Sequence, residues 1–203
     1  LIACGAGVLG KLAAKMDPTA LDGVLLSHLH YDHMSDALVL QYQLQAAGKR
    51  LPLFVPPEDA SPQRALLSAA FDVASYPRQM GLGALTITSF PVRHSVPCRA
   101  LRITEGVKTF VYTGDTNDCP GLSDFCRGAD VLLADAAFLT EEWRDTRPHM
   151  SAAGAARLAQ NAGVKRLYLT HLPLRHAPQT LEAQAREIFP GAQAVAPGMV
   201  ISL

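Results

Sequence analysis

The sequence predicts an α/β fold, and three observations carry that expectation. Short apolar runs of strand length alternate along the chain with longer segments of helical character. Polar residues able to bind metal stand immediately after several of the strand-like runs, as they do when a rigid sheet presents them. The chain has 203 residues, 49% of them apolar, which is enough to bury a substantial core within the ordinary range of one domain. A single domain over 1–203 is therefore expected.

Taken in order, Leu1-Ile2-Ala3-Cys4-Gly5-Ala6-Gly7 looks like a strand running into a glycine turn. Val24-Leu25-Leu26 is a buried strand, and Ser35 or Asp36 can cap a helix over 37–47 that Gly48 ends. Leu51 to Val55 is a short strand closed by Pro56-Pro57. Ser61-Pro62 opens a second helix to about Phe71, with proline at the tolerated first turn. Strands are expected at 85–92, 100–104 and 108–112, the last two joined as a hairpin around Glu105-Gly106, and again at 131–134. A helix over 151–162 ends at Gly163, another covers 179–188, and a terminal strand lies around Val200-Ile201-Ser202-Leu203. Nothing repeats, and no long linker interrupts the alternation.

The segment Ser27-His28-Leu29-His30-Tyr31-Asp32-His33 places three imidazoles and a carboxylate in six positions directly after the first buried strand. Such donors suit zinc, iron or manganese, and no apolar pattern accounts for their clustering. If the backbone stays extended, His28, His30 and Asp32 fall on one side, and His33 joins them only if the chain turns into a helix. Further ligand types follow later strands: His94 after 85–92, Asp115 after Thr109–Gly114, and His171 after Val164–Thr170.

His28-Leu29-His30-Tyr31-Asp32-His33-Met34-Ser35-Asp36, Tyr112-Thr113-Gly114-Asp115-Thr116, Asp135-Ala136-Ala137-Phe138, His149-Met150-Ser151-Ala152 and Leu169-Thr170-His171-Leu172 together resemble the metallo-β-lactamase-fold hydrolases, in particular their ribonuclease-Z-like and small cyclic-phosphodiesterase branch. The resemblance implies a four-layer αβ/βα sandwich with metals at one edge, and strands preceding Leu1. It implies two divalent cations, zinc first, with manganese or iron as alternatives. His28, His30 and His94 would hold one cation, Asp32, His33 and His171 the other, and Asp115 would bridge them. Relatives usually carry aspartate where Ala3 stands, so support for the metal site is missing there.

The implied chemistry is hydrolysis by a metal-bridging hydroxide, with no protein nucleophile. Asp32 would ligate and orient the attacking hydroxide. Ser27 and Thr116 are read as hydrogen bonders behind the ligands. His149 stands outside the seven ligands; in ribonuclease-Z-like relatives a histidine in the matching setting contacts the scissile phosphate or protonates the leaving group. Arg175 and His176 are candidates for phosphate contact or for a solvated loop.

The expected reaction is therefore cleavage of a small or cyclic phosphodiester, with RNA ends as a further substrate. Lactonase, thioesterase or β-lactamase chemistry is the enzymatic alternative, and a metal-binding protein without turnover is the alternative of another class. The interval from His94 to Asp115 has room only for a hairpin, whereas tRNA-processing relatives insert a long arm there. Eighteen basic residues balance eighteen acidic ones, which disfavours extended nucleic-acid binding. A small-molecule phosphodiester is thus the expected partner, and a homodimer fits the resemblance. No apolar stretch approaches membrane-spanning length. Four cysteines without a C-x-x-C pair suit a reducing compartment, and a cytoplasmic location is expected.

Overall fold

Parallel strand pairing organises the first part of the chain in the computed structural model, which describes residues 1–203. Two compact units are present, Leu1–Pro77 and Arg78–Leu203. No helix is long and apolar enough to cross a membrane.

In the first unit, β1 (Val24–Leu25), β2 (Leu51–Val55) and β3 (Phe71–Ser75) form a parallel sheet in the order β1-β2-β3. Its helices are α1 (Val8–Ala13), α2 (Tyr31–Ala46) and α3 (Pro62–Leu66). On α2 the buried positions are His33, Met34, Ala37, Leu40, Gln41 and Leu44, a three-and-four spacing that puts one stripe into a core shared with Leu26, Leu53, Leu67 and Phe71.

Several expectations are corrected here. The segment at the start makes only an isolated bridge, Ile2 with Leu25, before α1. Helix α2 begins at Tyr31, ahead of the expected caps. Asp36 instead accepts the Leu9 amide of α1 at 2.8 Å, so it satisfies the start of a different helix. The helix expected to reach Phe71 stops at Leu66. Gln41 of α2 is the physical reason: its amide nitrogen donates to Leu66 O at 2.9 Å, and its oxygen accepts from the Ala69 and Ala70 amides at 3.1 and 3.3 Å. The backbone groups released at the helix end are thereby satisfied, and Phe71 is free to enter β3, paired with Leu51.

The second unit is a seven-stranded mixed sheet ordered β10-β9-β8-β7-β6-β5-β4. The strands are β4 (Gln79–Leu82), β5 (Leu85–Pro91), β6 (Arg99–Glu105), β7 (Lys108–Tyr112), β8 (Val131–Asp135), β9 (Leu167–Thr170) and β10 (Gln193–Ala194). Strands β4 to β7 are antiparallel, and the expected hairpin turns at Gly106, whose left-handed φ of 55° is one that glycine adopts without steric cost. From β7 to β10 the pairing is parallel.

Helices α4 (Leu122–Cys126), α5 (Ala152–Ala162) and α6 (Pro178–Arg186) accompany these strands. Helix α5 starts as expected: Ser151 caps it by accepting the Gly154 amide at 3.1 Å, and Gly163 ends it in the left-handed conformation. Its buried alanines share a core with Leu132, Leu167, Leu169 and Leu181. The terminal strand is displaced from expectation. Val195 donates to Leu169 O at 3.0 Å just after β10, but Pro197-Gly198 follows, and Val200 lies exposed.

Candidate metal centre

Each unit carries part of the expected ligand set. In the first, the chain leaves β1 through Leu26 and Ser27, both fully buried, and remains extended to His30, the N-cap of α2. His28 is fully buried. Its Nδ1 is paired with Ser27 Oγ at 3.0 Å, and its Nε2 lies 3.1 Å from Nδ1 of His30. Ser27 thus hydrogen-bonds the His28 ring from behind.

Asp32 and His33 are not part of an extended run: both sit in the first turn of α2. The early helix start replaces alternation by helical rotation, bringing His33 Nε2 within 3.4 Å of Asp32 Oδ2 and the His33 ring within 4.2 Å of that of His28. An acidic residue in a first turn also interacts favourably with the helix dipole. The turn is braced from the N-terminal segment, where Cys4 N donates to His33 O at 2.8 Å and Asp36 N donates to Cys4 O at 2.9 Å. Gly5 packs so closely that a Cβ there would fall 1.6 Å from Asp32 O. Ala3, where the resemblance implies aspartate, has a left-handed φ of 54°, a conformation that aspartate tolerates better than alanine.

In the second unit three neighbouring parallel strands deliver side chains at their carboxyl ends. Asp115 follows β7, Asp135 ends β8, and His171 follows β9 with φ 56°. Histidine is among the residues that tolerate such a backbone, and residues held there against steric preference gather at functional sites. Thr113 ties the ends of β7 and β8 together, its hydroxyl donating to Gly114 O at 2.7 Å and accepting from Asp135 N at 3.0 Å.

Asp115 is almost fully buried, and its Oδ2 lies 3.3 Å from His171 Nδ1. His94 follows β5, with Nδ1 3.3 Å from Pro148 O. Thr116 does not support a ligand ring directly. Its hydroxyl accepts from Arg93 N at 3.2 Å and so fixes the backbone before His94.

His149 joins this group. Its ring stacks on His171 with centroids 4.5 Å apart and meets His94 edge-on at 5.0 Å. Donor atoms of His94, Asp115 and His149 lie within 4.8 Å of one another. Imidazole nitrogens and a buried carboxylate at that separation are the donor set a divalent cation takes, so His149 stands with two of the expected ligands in a group of metal-binding type, although the resemblance places it outside the seven ligands.

Asp135 lies in one of the motifs that carry the resemblance, but its place in the sequence assigns it no role. It is fully buried, accepts the Thr116 amide at 2.8 Å and the Ala137 amide at 3.2 Å, and pairs with His149 Nδ1 at 2.6 Å. Burial pushes its carboxyl up to about 6, against the lowering effect of the His149 hydrogen bond. Asn117 was also missed. Fully buried, it donates through Nδ2 to Asp145 O at 3.2 Å and Arg147 O at 2.7 Å, and accepts from Trp143 Nε1 at 3.2 Å, which pins the loop leading to His149. A buried-looking asparagine two residues after Asp115 was the available signal, but its partners are about thirty residues away.

Arg175 and His176 do not stand in a merely solvated loop. Both engage Glu142, at 3.0 and 2.8 Å. This ion pair, led by Arg175, holds the Glu142 carboxyl down at about 2. The four cysteines form no disulfide.

Residues 1–172 match a family described as "Beta-lactamase superfamily domain". The probable metallo-hydrolase YhfI of Bacillus subtilis is 34% identical over 200 residues, covering 94% of this chain and 82% of that protein. The crystal structure of YhfI superposes with a TM-score of 0.92 at 32% identity, covering 98% of this chain and 84% of that one. A ribonuclease Z of Myxococcus xanthus is 42% identical over 94 residues, which is 44% of this chain and 30% of that enzyme. The short form of human tRNase Z shares the fold, with a TM-score of 0.77 at 16% identity, over 99% of this chain and 86% of that one.

Proposed function

Because the chain belongs to the β-lactamase superfamily and to its metal-dependent hydrolases, we propose that it is a dinuclear phosphodiesterase acting on small or cyclic phosphodiesters. The proposed ligands are those the resemblance implies, His28, His30, Asp32, His33, His94, Asp115 and His171, with two divalent cations, zinc as the first choice. Bound cations would supply water activated at neutral pH and positive charge against the substrate's oxyanion.

The observation that carries the phosphodiester reading is the pair His149–Asp135, joined at 2.6 Å beside the ligand histidines. Two backbone amides already donate to Asp135, so this carboxylate is an acceptor, and it holds the proton of His149 on Nδ1. Nε2 is then the nitrogen that faces chemistry. A carboxylate behind an imidazole also stabilises its protonated form, so His149 can donate a hydrogen bond or a proton to an oxygen that gains charge as a P–O bond breaks. Asp135 is in this reading a positioning residue and His149 the proton donor. A phosphodiester with a poor alkoxide leaving group needs that proton. A lactam or an activated thioester needs it less.

The test is turnover of metal-loaded protein on cyclic nucleotides, bis(p-nitrophenyl) phosphate, lactones and a chromogenic β-lactam. Cleavage of the phosphodiesters in preference to the others is expected. Efficient lactone or β-lactam cleavage without phosphodiester turnover would move the protein to the other enzymatic class, and two bound metals with no turnover on any of them would make it a binding protein.

A further inference from the structure

Beside His149, within the second unit, lies an open pocket of about 460 Å³ lined by Phe138, Glu142, Arg144, Arg147 and Arg175. We infer that it is a subsite for a second, dianionic phosphate on the substrate, a terminal phosphate monoester lying beyond the scissile diester. This rests on the phosphodiesterase reading for the identity of the reaction, but not for the pocket's ligand.

The charge of the pocket points to that chemistry. Three guanidiniums face one carboxylate, which leaves two positive charges unmatched, although the whole chain has formal charge zero. Glu142 is committed to Arg175 and His176. Arg144 donates only to main-chain carbonyls, Glu141 O at 2.8 Å and Trp143 O at 2.6 Å, and so keeps its charge unpaired. Arg147 makes no ion pair or side-chain hydrogen bond; its guanidinium carbon lies 5.4 Å from the centroid of the Phe138 ring. A phosphate monoester carries about −1.5 to −2 at neutral pH, whereas a carboxylate or an internal diester carries about −1. Two unmatched arginines therefore fit a monoester best, and a planar guanidinium fork suits its oxygens.

The pocket is also held in shape. Arg147 is anchored through its carbonyl by Asn117 at 2.7 Å, and Arg175 lies 5.6 Å from the same phenyl centroid. Phe138 is thus occupied as a support for two guanidiniums, which makes it a poor platform for stacking a base. Its ring centroid is 6.2 Å from that of His149, placing the pocket next to the proposed proton donor.

Two thymidine substrates isolate the effect: thymidine 5′-(p-nitrophenyl phosphate), and the same ester carrying a 3′-phosphate. With metal-loaded protein the 3′-phosphorylated ester should have the lower KM. Arg147→Ala should reduce that preference by about tenfold or more, the scale of losing a charge-assisted contact, while Arg147→Lys restores part of it. Calorimetric binding to metal-free protein of thymidine 5′-(methyl phosphate) and of its 3′-phosphorylated form, a bisphosphate whose only monoester is the added one, repeats the comparison without turnover. If no phosphodiester is cleaved but the bisphosphate still binds more tightly and Arg147→Ala removes the difference, the subsite stands and the proposed reaction falls. Equal binding of the two nucleotides by the unaltered protein, or a preference that survives in Arg144→Ala/Arg147→Ala, overturns the subsite. So does an equal loss of affinity, on Arg147→Ala, for a thymidylate octamer lacking terminal phosphates, because the pocket would then be reading internal diesters.

Discussion

Replacing Asp135 by asparagine should nearly abolish turnover while leaving the metal-free protein about as stable as before at pH 7. The substitution keeps the size of a fully buried side chain. The carboxylate now accepts from His149 Nδ1 at 2.6 Å, Thr116 N at 2.8 Å and Ala137 N at 3.2 Å. An amide has one acceptor and one donor end. With its oxygen toward Ala137, the NH2 group faces both the Thr116 amide and His149; reversed, it faces the Ala137 amide. Either orientation opposes a buried N–H to another donor, at a cost of about 1–3 kcal/mol.

Against this stands the relief of a buried charge. The Asp135 carboxyl is raised mainly by desolvation, from 3.8 to about 6. The unfolded chain therefore gives up this proton first, and folding loses stability as pH rises from about 4 through about 6, by about 3 kcal/mol at 1.36 kcal/mol per pKa unit. The two effects offset each other at pH 7. At pH 4, where Asp135 is largely protonated in the folded protein, only the amide mismatch remains and the variant should be the less stable.

Thermal denaturation of metal-free protein from pH 4 to pH 7 reads this directly, since 1 kcal/mol corresponds to about 2–4 °C in a chain of this size. The gap between Asp135→Asn and the unaltered protein should close as pH rises. Turnover should fall by about 10²–10⁴-fold, because His149 loses the partner that fixes its tautomer. A variant with normal turnover refutes the positioning role, and a stability gap that does not change with pH refutes the buried-charge account.

His149→Ala should keep its metal while losing about 10²–10⁴-fold in turnover, more for an alkoxide leaving group than for p-nitrophenolate; metal content falling in step with activity, measured by atomic emission, would instead make His149 a ligand, as the 4.8 Å grouping with His94 and Asp115 permits. For Asp32→Ala, whose side chain is 62% exposed, Tm should shift by no more than about 2 °C, in keeping with the ±0.5 kcal/mol usual for surface substitutions, yet hydrolysis should cease; normal turnover of the loaded variant would remove Asp32 from the machinery. Gly5→Ala drives a Cβ against the Asp32 carbonyl and should destabilise the protein by about 3 kcal/mol and weaken metal binding together, so an unchanged Tm would mean that the N-terminal segment yields without moving the first turn of α2.

The parts of the structure legible in the sequence were those whose signals are local. Ser151 and Gly163 bracket α5 because a cap and a left-handed stop act within a turn of the helix they bound. Strands β5 to β9 were visible as apolar runs. The His-x-His-x-Asp-His spacing identified metal chemistry before any geometry, since no packing requirement produces it. Two of the errors originate in contacts from far along the chain. Gln41 ends α3 from twenty-five residues away, and Asp36 caps α1 from inside α2. Neither side chain differs in type from an ordinary surface polar residue on a helix.

The same reasoning explains why His149 could be singled out and Asp135 could not. His149 stands at a helix start in the setting where the resemblance implies a histidine that acts on the substrate, whereas an aspartate at the end of an apolar strand reads as the first residue of a turn. Only the sheet register, which pairs Asp135 with Thr170 and sets β8 between β7 and β9, buries that carboxylate among the side chains those strands deliver. Its burial then has a chemical consequence. An exposed carboxylate would hold His149 weakly and be screened by water, while a fully desolvated one, fixed by two main-chain amides, keeps the imidazole in one tautomer. The energetic cost of burying Asp135 and the orientation of His149 thus come from one arrangement, which is why the pH dependence of stability and the loss of turnover in Asp135→Asn must be observed together.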